Sequence, residues 1–491
     1  MGINLMRFSK PGFVINSIYK TNSVIILFVV LIGMTACTAH YPVNKSISSV
    51  KKLEDYSLGQ KTDTTRSSEL LLLLTFSGGG TRAAALSYGV LETLADTNVV
   101  INGKLRRLID EIDAISSVSG GSFTAAYYGL FGKRIFKDFE TKFLKNDVQK
   151  EIEKRLLSPL NWPKLSSPYY NRSELSADYY DELLFEKKTF QDIIKSKGPL
   201  IAINATDMTL GSQFSFMRFQ FAPICADLLS FPLSRAVTAS SAVPGAFSSV
   251  ILKNYAGFCD FKMPDWATEA LRKRRSTTRQ YQLAKRLDAY LNVDTYPYIH
   301  LLDGGISDNL GIRFIIDKVI TEGSAWNELK KLGLENTNRL AIIVVDAKKK
   351  KDINFAKRDY SIPIIDTLSA ASSIPLNQLN QYSYETVELL RNNIDKWRAS
   401  MTAGRCREMK EKNAVIKDVS IEKPECAAHT YLIEVNFDAI EDDSERKHLE
   451  SLPTSFHLEP EDVDRLREAA KKILTQSEEF QSLVEDLSKK P

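Results

Sequence analysis

Two hydrophobic patterns alternate along the chain and predict its fold class. Largely apolar runs at residues 70–76, 199–204 and 340–345 have the length of strands that are buried on both faces. At residues 83–95 apolar side chains instead recur every fourth position, which is the spacing of a helix with one buried face. Alternating buried strands and helices are typical of an α/β fold with a mostly parallel central sheet.

A serine lies in the turn between a further predicted strand, near residues 112–116, and a helix-like run at 123–130. A tight strand-to-helix turn can lift a serine hydroxyl clear of the sheet and direct the helix amides at it. Such a turn requires small neighbours, but Ser117 stands where the usual Gly-x-Ser-x-Gly pattern has its first glycine. Ser119 is therefore a candidate nucleophile, and a structural Ser/Gly-rich turn is the alternative.

A glycine triplet, Gly78, Gly79 and Gly80, follows the first predicted strand and precedes the helix at 83–95. Backbone amides at such a helix start can bind an anion, and two of them can form an oxyanion hole. The spacing also loosely fits a dinucleotide-binding loop, which needs an acidic residue at the end of the next strand. Asp96 and Asp110 are the only candidates, and neither ends a predicted strand. An oxyanion hole is therefore favoured, with a structural turn as the other alternative.

An aspartate ends the apolar run at residues 298–302 and is followed by Gly304 and Gly305. The carboxyl ends of parallel strands lie at one edge of a sheet, where ligands bind. We therefore expect Asp303 and Ser119 to meet at this edge. The alternative is a turn aspartate that caps the two glycines.

A serine nucleophile needs a base, most often histidine, and the histidines of this chain are poorly placed. His300 is three positions from Asp303 on one strand, an odd offset that directs the two side chains to opposite faces. The others lie in the polar N-terminal segment or in a C-terminal region without strand-end glycine loops: His40, His429, His448 and His457. Asp303 is left as the candidate base, provided that desolvation and alignment raise its proton affinity.

The N-terminal segment has the pattern of an export signal. Three cations, Arg7, Lys10 and Lys20, precede an apolar run at residues 24–34. With eleven residues the run is too short to cross a bilayer, which takes about 20, but it fits the hydrophobic part of a signal peptide. The sequence predicts a signal peptide over residues 1–36, and an uncleaved anchor is the alternative.

The four residues that end this segment, Met34 to Cys37, resemble the bacterial lipobox, in which the cysteine is acylated and becomes the mature N-terminus. Thr38 follows, where an aspartate would resemble the signal for retention at the inner membrane. The resemblance implies lipidation at Cys37. It also implies a lipoprotein of the cell envelope, anchored in the outer membrane and facing the periplasm or the cell surface.

The charge of the chain gives no reason to expect a nucleic-acid partner. The formal net charge is +4, and three of the four excess cations precede Cys37. A basic cluster at residues 272–286, which includes Arg286, is predicted to form either a solvated helix face or a surface attracted to anionic lipid head groups.

Four cysteines follow Cys37, and an even number in an exported chain permits disulfides. Nearest-neighbour pairing would join Cys225 to Cys259 and Cys406 to Cys426, with free buried cysteines as the alternative. Their spacing fits no zinc pattern, and the sequence predicts no metal or other cofactor.

The predicted domain organisation follows from these segments and a chain of 491 residues. After the signal peptide, residues 37–67 form a polar, lipid-anchored tether, and residues 68–350 form the catalytic domain. Charged, helix-prone insertions interrupt the domain at about 135–198 and 260–297. Residues 351–491 form a helical region that packs on the domain, with a last helix that starts near Pro460.

Four segments together resemble, in order, the characteristic blocks of patatin-like phospholipases: residues 77–82, 117–121, 239–244 and 303–305. The resemblance covers about residues 69–347. Alone, the small-residue segment at 239–247 indicates only a tightly packed loop. Ser117 and Ala83 depart from the family pattern, since each replaces a glycine.

The resemblance implies a three-layer α/β/α fold, helical insertions and a serine–aspartate dyad that uses no histidine and no metal. It implies that Ser119 is the nucleophile and Asp303 its partner. It further implies an oxyanion-hole loop formed by Gly78, Gly79, Gly80 and Arg82. The implied activity is that of a phospholipase A or lipid acyl hydrolase, with membrane lipids as substrate.

Two other functions stay open at this point. A catalytically inactive relative would use the fold as an envelope scaffold or lipid-binding protein. A hydrolase of non-lipid acyl esters or thioesters would use the same residues on other substrates.

Overall fold

The structure is a computed structural model that describes residues 44–54, 56, 66–348, 359, 364–412 and 426–489. The predicted signal peptide and the predicted lipidation site at Cys37 lie outside these residues. In the described ranges no helix combines the length and apolar character needed to cross a bilayer.

An eight-stranded sheet forms the centre of the fold. Its strand order is β10-β9-β1-β4-β5-β8-β7, and β6 pairs with the end of β5. A separate hairpin is formed by β2 and β3. The strands are β1 (Leu70–Phe76), β2 (Asn98–Ile101), β3 (Lys104–Arg107), β4 (Ile112–Val118), β5 (Leu200–Asp207), β6 (Ser212–Ser215), β7 (Val250–Lys253), β8 (Tyr298–Asp303), β9 (Arg339–Asp346) and β10 (His429–Asn436).

Helices flank this sheet. The α-helices are α1 (Gly80–Asp96), α2 (Gly120–Phe131), α3 (Val148–Leu157), α4 (Trp162–Leu165), α5 (Arg172–Tyr180), α6 (Phe190–Ser196), α7 (Arg218–Phe221), α8 (Leu233–Ser240), α9 (Asp265–Lys273), α10 (Arg279–Leu291), α11 (Gly305–Asp308), α12 (Arg313–Glu322), α13 (Ala325–Lys331), α14 (Ile364–Lys412), α15 (Asp443–Ser451), α16 (Pro460–Gln476) and α17 (Glu478–Ser488).

Strands β10, β9, β1, β4 and β5 run parallel to one another, as buried strands joined by helices do. Strands β6, β7 and β8 pair antiparallel. The predicted α/β class with a mostly parallel sheet and flanking helices is confirmed.

The C-terminal region contributes a strand as well as helices. Strand β10 pairs with β9 along its whole length, from His429 beside Arg339 to Asn436 beside Asp346. Only Ile433 and Val435 of this edge strand are fully buried, so it lacks the continuous apolar run that predicts a strand. The region predicted as helical therefore also contains a strand, and the last predicted helix is present as α16, which begins at Pro460.

Part of the predicted tether packs on the domain. The Ile47 amide donates to the carbonyl of Cys225 at 2.8 Å, and the Tyr56 hydroxyl donates to the carbonyl of Ile201 at 2.6 Å. Ile47, Leu53 and Tyr56 are all buried. A few apolar residues in a polar segment are enough to hold it, so the predicted tether is fixed to the domain over its described residues 44–54 and 56.

The insertions are helical, as predicted, and the described cysteines form the two nearest-neighbour disulfides. The first insertion packs on α2 through stacked rings, with Phe143 centred 4.4 Å from Phe123. The Cys225 to Cys259 disulfide attaches the start of the second insertion to the loop after α7.

Candidate active site

The predicted serine turn is a sharp elbow between β4 and α2. Ser119 stands at φ 47° and ψ −121°, a region that residues with side chains rarely adopt. The elbow lies directly against the glycine loop. The approach is so close that a Cβ added to Gly120 would come within 2.0 Å of the Gly80 carbonyl oxygen. Ser117 fills the place of the usual glycine and is fully buried. The strained turn and the glycine loop thus touch through bare backbone.

The structure brings Ser119 and Asp303 together. The Ser119 hydroxyl donates to Asp303 Oδ2 at 2.9 Å, and the Gly305 amide donates to Oδ1 at 2.7 Å. Both side chains are buried. Burial raises the pKa of Asp303 to about 6, and the hydrogen bonds from Gly305 and Ser119 oppose this rise. A carboxylate with this pKa is more basic than an ordinary one and is still ionised at neutral pH.

The two residues meet for a different reason from the one the sequence suggested. Strand β8 runs antiparallel to β5, so its carboxyl end does not belong to the parallel edge. It pairs only with residues 205–207 of β5, which extend past the end of β4. Asp303, opposite Ala205, therefore stands just beyond Val118, where the serine elbow begins.

Ser240, at the end of α8, connects the elbow to the neighbouring strand. Its hydroxyl accepts a hydrogen bond from the Ser119 amide at 2.8 Å and donates to the carbonyl of Asn204 at 2.6 Å. Its carbonyl accepts from the Gly304 amide, and the Ala242 carbonyl accepts from the Asp303 amide, both at 3.0 Å. The segment predicted only as a packed loop therefore positions both members of the pair.

The first insertion supports Ser240 from outside. Arg235, one helical turn before Ser240 on α8, makes two hydrogen bonds of 2.9 and 2.7 Å to the carboxylate of Glu174 on α5. Both side chains are buried. This ion pair, with both partners buried, fixes α8 against the first insertion.

The glycine loop presents free amides to the site. The Gly78 amide is engaged with the Asn309 carbonyl and the Thr81 amide with the Ser455 carbonyl, at 3.0 and 2.8 Å. Within the described part of the chain, the amides of Gly79 and Gly80 donate to no protein group, and α1 has no side-chain cap. They lie at the positive end of the α1 dipole, where an anion is stabilised.

Arg82 differs from the other loop residues because its side chain turns away from the serine. The buried guanidinium donates to the carbonyls of Ala347, at 3.0 Å, and Leu452, and reaches Thr454 Oγ1 at 3.4 Å. Burial lowers its pKa to about 10, against the attraction of Asp346. Arg82 thus fixes the glycine loop to β9 and to residues 452–455, which lie far away in the sequence.

The described histidines have partners elsewhere. His300 Nδ1 lies 3.1 Å from the Ser249 hydroxyl and His448 Nε2 lies 2.6 Å from Asp462 Oδ1. In the ranges that the structure describes, no histidine is hydrogen-bonded to Ser119, and no cluster of His, Cys, Asp and Glu has the makings of a metal site.

A serine in a strand-to-helix elbow, facing an acid and a glycine-rich helix start, defines the class of α/β serine hydrolases. Residues 74–316 match the family model of patatin-like phospholipases, and this part of the chain belongs to that family. The family is one of lipid acyl hydrolases.

Two solved structures that the chain matches are human GIVD cytosolic phospholipase A2 and VipD from Legionella pneumophila. The first is 12% identical with a TM-score of 0.42, over 89% of this chain and 65% of that one. The second is 12% identical with a TM-score of 0.31, over 86% and 67%. The chain thus spans about two thirds of the length of either protein. No curated protein matches the chain significantly.

Replacement of Ser240 by alanine tests its positioning role. Without the hydroxyl, the Ser119 amide loses its partner, so we expect the rate of fluorophosphonate labelling to fall about 10- to 100-fold while the fold is kept. Ser241→Ala is the matched control, since that hydroxyl bonds only within its own helix, to the carbonyls of Val237 and Thr238. Labelling of the Ser240 variant at the wild-type rate would show that this residue does not position the serine.

Proposed function

We propose that this protein is a serine acyl hydrolase that cleaves fatty-acyl esters of phospholipids and related lipids through a dyad of Ser119 and Asp303. The observation that carries the proposal is the hydrogen bond of 2.9 Å between Ser119 Oγ and the buried Asp303 carboxylate. The unengaged amides of Gly79 and Gly80 beside it support the same chemistry.

In the proposed first step, Asp303 takes the proton of the Ser119 hydroxyl while Oγ attacks the ester carbonyl carbon. The carbonyl oxygen becomes an oxyanion, which the amides of Gly79 and Gly80 stabilise. The bond to the alcohol breaks, and the leaving alkoxide takes the proton back from Asp303. Water, deprotonated by Asp303, then attacks the acyl-enzyme carbonyl carbon. The bond from this carbon to Ser119 Oγ breaks, Oγ takes the proton back from Asp303, and the fatty acid is released.

An exposed apolar surface on the first insertion supports a lipid substrate. Four large side chains of the first insertion are 57–88% exposed: Leu157, Leu160, Trp162 and Tyr169. Exposed lysines at 154 and 164 accompany them and would attract anionic head groups. An aromatic and aliphatic surface bordered by lysines is suited to the boundary of a bilayer. We call the four exposed side chains, Leu157, Leu160, Trp162 and Tyr169, the apolar rim.

The apolar rim is connected to the catalytic machinery. It is followed by Asn171 and Arg172, whose side chains donate to the carbonyls of Ser249 and Gly245 at 3.4 and 3.2 Å. Gly245 and Ser249 lie in the loop that follows α8, and Ser240 at the end of α8 binds the Ser119 amide. Insertion of the rim into a bilayer would therefore hold the site at the lipid surface.

The proposal includes lipidation at Cys37 in the outer membrane. The domain is fixed from Asn44, whose amide side chain donates to the Lys253 carbonyl at 3.0 Å. Seven residue steps from Cys37 span at most about 25 Å. An acyl anchor at Cys37 would thus keep the domain beside the membrane and raise the effective concentration of its substrate.

Loss of either dyad residue is expected to abolish hydrolysis. Ser119→Ala and Asp303→Asn should each lower phospholipid hydrolysis at least about 1,000-fold, and Ser119→Ala should also lose fluorophosphonate labelling. Asp308→Asn is the matched control, because Asp308 is a nearby buried acid that bonds the amide of Arg313 and not the serine. A dyad variant with wild-type turnover would refute the mechanism, and a folded wild type without labelling or turnover would favour the scaffold function.

The pH dependence should report the raised pKa of Asp303. The base must be ionised, so kcat/KM is expected to fall about tenfold per pH unit below about pH 6. The same rise in the pKa means that the folded state favours the protonated Asp303 carboxyl. This contribution to the stability of the fold is fully present below about pH 4 and is lost as the pH rises through about 6. Asp303→Asn should therefore be at least as stable as wild type at pH 7, by thermal unfolding. An acidic limb near pH 4 would argue against Asp303 as the base.

The apolar rim should matter for vesicles and not for dissolved substrates. Leu160→Glu with Trp162→Glu is expected to lower hydrolysis of phospholipid vesicles about tenfold or more, because a charged side chain is costly to insert. Hydrolysis of a short-chain soluble ester should be unchanged. Leu105→Glu, an exposed leucine on the β2–β3 hairpin, is the control. Equal losses on both substrates would mean that the rim variant damages the site itself.

A further inference from the structure

A second concave site lies behind the sheet, away from Ser119. It has a volume of about 650 Å³, and neither Ser119 nor Asp303 lines it. Its floor includes Leu71 and Leu73 of β1. Phe76 of the same strand faces α2, where a Cβ on Gly121 would come within 2.7 Å of the Phe76 Cβ. Because side chains alternate along a strand, Leu71 and Leu73 point to the opposite face.

The packing of β1 agrees with this position. Leu71 and Leu73 remain 6 and 9% exposed, whereas Leu72 and Leu74 are at 0%. The walls come from the helices over that face, with Leu287 of α10, Ile315 of α12 and Trp397 of α14 among them. We call this space the rear cavity. Protein cores are close-packed, and an apolar space of this size is a poor host for water. Its volume is in the range of sites that bind small molecules.

The charged groups of the rear cavity favour an anion. Three of its acids are already engaged by neighbouring groups: Asp260 with the Ser49 hydroxyl and the Val50 amide, Asp317 with Arg279, and Glu322 with Lys331. The remaining acid, Glu328, has its pKa raised by burial. Two of the five cations are engaged as well, Lys331 with Glu322 and Arg218 with Glu54. This leaves Lys262, Arg286 and Lys318 as cations, against Glu328 as the one acid of the cavity that remains.

Arg286 is the cation best placed to bind an anionic group. Its Nε donates to the Gln282 carbonyl at 3.3 Å, and among the described residues its two terminal nitrogens donate to nothing. The carboxylate of Asp317, on the facing helix, is held by Arg279 through two bonds of 2.8 Å. A guanidinium with two free nitrogens matches a carboxylate in the bidentate geometry. Lys318 adds a positive charge nearby, with its ammonium 4.1 Å from the centre of the Phe219 ring.

We propose that the rear cavity binds a long-chain fatty acid, with the acyl chain on the apolar walls and the carboxylate on Arg286. This site is separate from the ester-binding site at Ser119. Only the origin of the ligand rests on the proposed function, because hydrolysis of lipid esters would release the same class of molecule.

Tryptophan quenching gives a direct test, since Trp266 and Trp397 both line the rear cavity. The full chain carrying Ser119→Ala, which cannot turn over esters by the proposed mechanism, is titrated with dibromostearic acid, whose bromines quench indole fluorescence on contact. We expect saturable quenching. Arg286→Gln should weaken binding about tenfold, and Lys285→Gln, an exposed neighbour on α10 that does not line the cavity, should bind normally.

A variant that fills the space separates the rear cavity from other binding sites. Val319→Phe places a ring among the lining residues and should weaken binding about tenfold or more, whereas Val100→Phe, on the β2–β3 hairpin, should not. Circular dichroism checks the fold of each variant. Unchanged binding by both Arg286→Gln and Val319→Phe would overturn the proposal, as would equally tight binding of dibromostearyl alcohol. The quenching does not depend on turnover, so it fails or succeeds independently of the dyad.

Discussion

The site depends on the contact between two bare backbones, the glycine loop after β1 and the elbow after β4. The approach is so close that a single methyl group on Gly120 would collide with the Gly80 carbonyl at 2.0 Å. Next to this contact Ser119 holds a rare backbone conformation, which costs of order 1–3 kcal/mol and which the surrounding packing must sustain. It also sets the amides of Gly79 and Gly80 beside the serine. The proposed nucleophile and the proposed oxyanion donors therefore belong to a single packing unit.

Local sequence patterns were sufficient to predict the parts of this unit. The pairing of strands that are distant in the sequence could not be predicted from such patterns. Strand β1, the elbow and the glycine triplet were predictable because each has its own pattern of apolar and small residues. The antiparallel course of β8 was not, since the direction of a strand depends on its neighbour and leaves no trace in its own residues. Ser240 was missed because a hydroxyl that bonds two backbones of other segments looks like any small residue in a packed loop. Strand β10 was missed because only two of its side chains are fully buried.

The C-terminal part of the chain completes the site from behind. The Ser455 carbonyl accepts from the Thr81 amide, and the Leu452 and Thr454 oxygens accept from Arg82. Residues 452–455 lie between α15 and α16, and α16 packs along α1. The first and last parts of the domain therefore hold the glycine loop together. A buried guanidinium needs hydrogen-bond acceptors, and Arg82 finds them at Ala347 and in residues 452–455. These bonds hold the glycine loop in place.

The energetics of Asp303 suit it to serve as the base of the proposed dyad without a histidine. A shift of its pKa from 3.8 to about 6 corresponds to roughly 3 kcal/mol, which the folded state carries whenever Asp303 is ionised. In a triad a third group orients the base; here the Gly305 amide holds one oxygen and leaves the other for the serine. Too many hydrogen-bond donors would stabilise the carboxylate and lower its basicity. Without any hydrogen-bond donor, burial would leave the carboxyl protonated at neutral pH. One amide and one hydroxyl on a buried carboxylate suit Asp303 to the proposed role of a base that is ionised and still reactive.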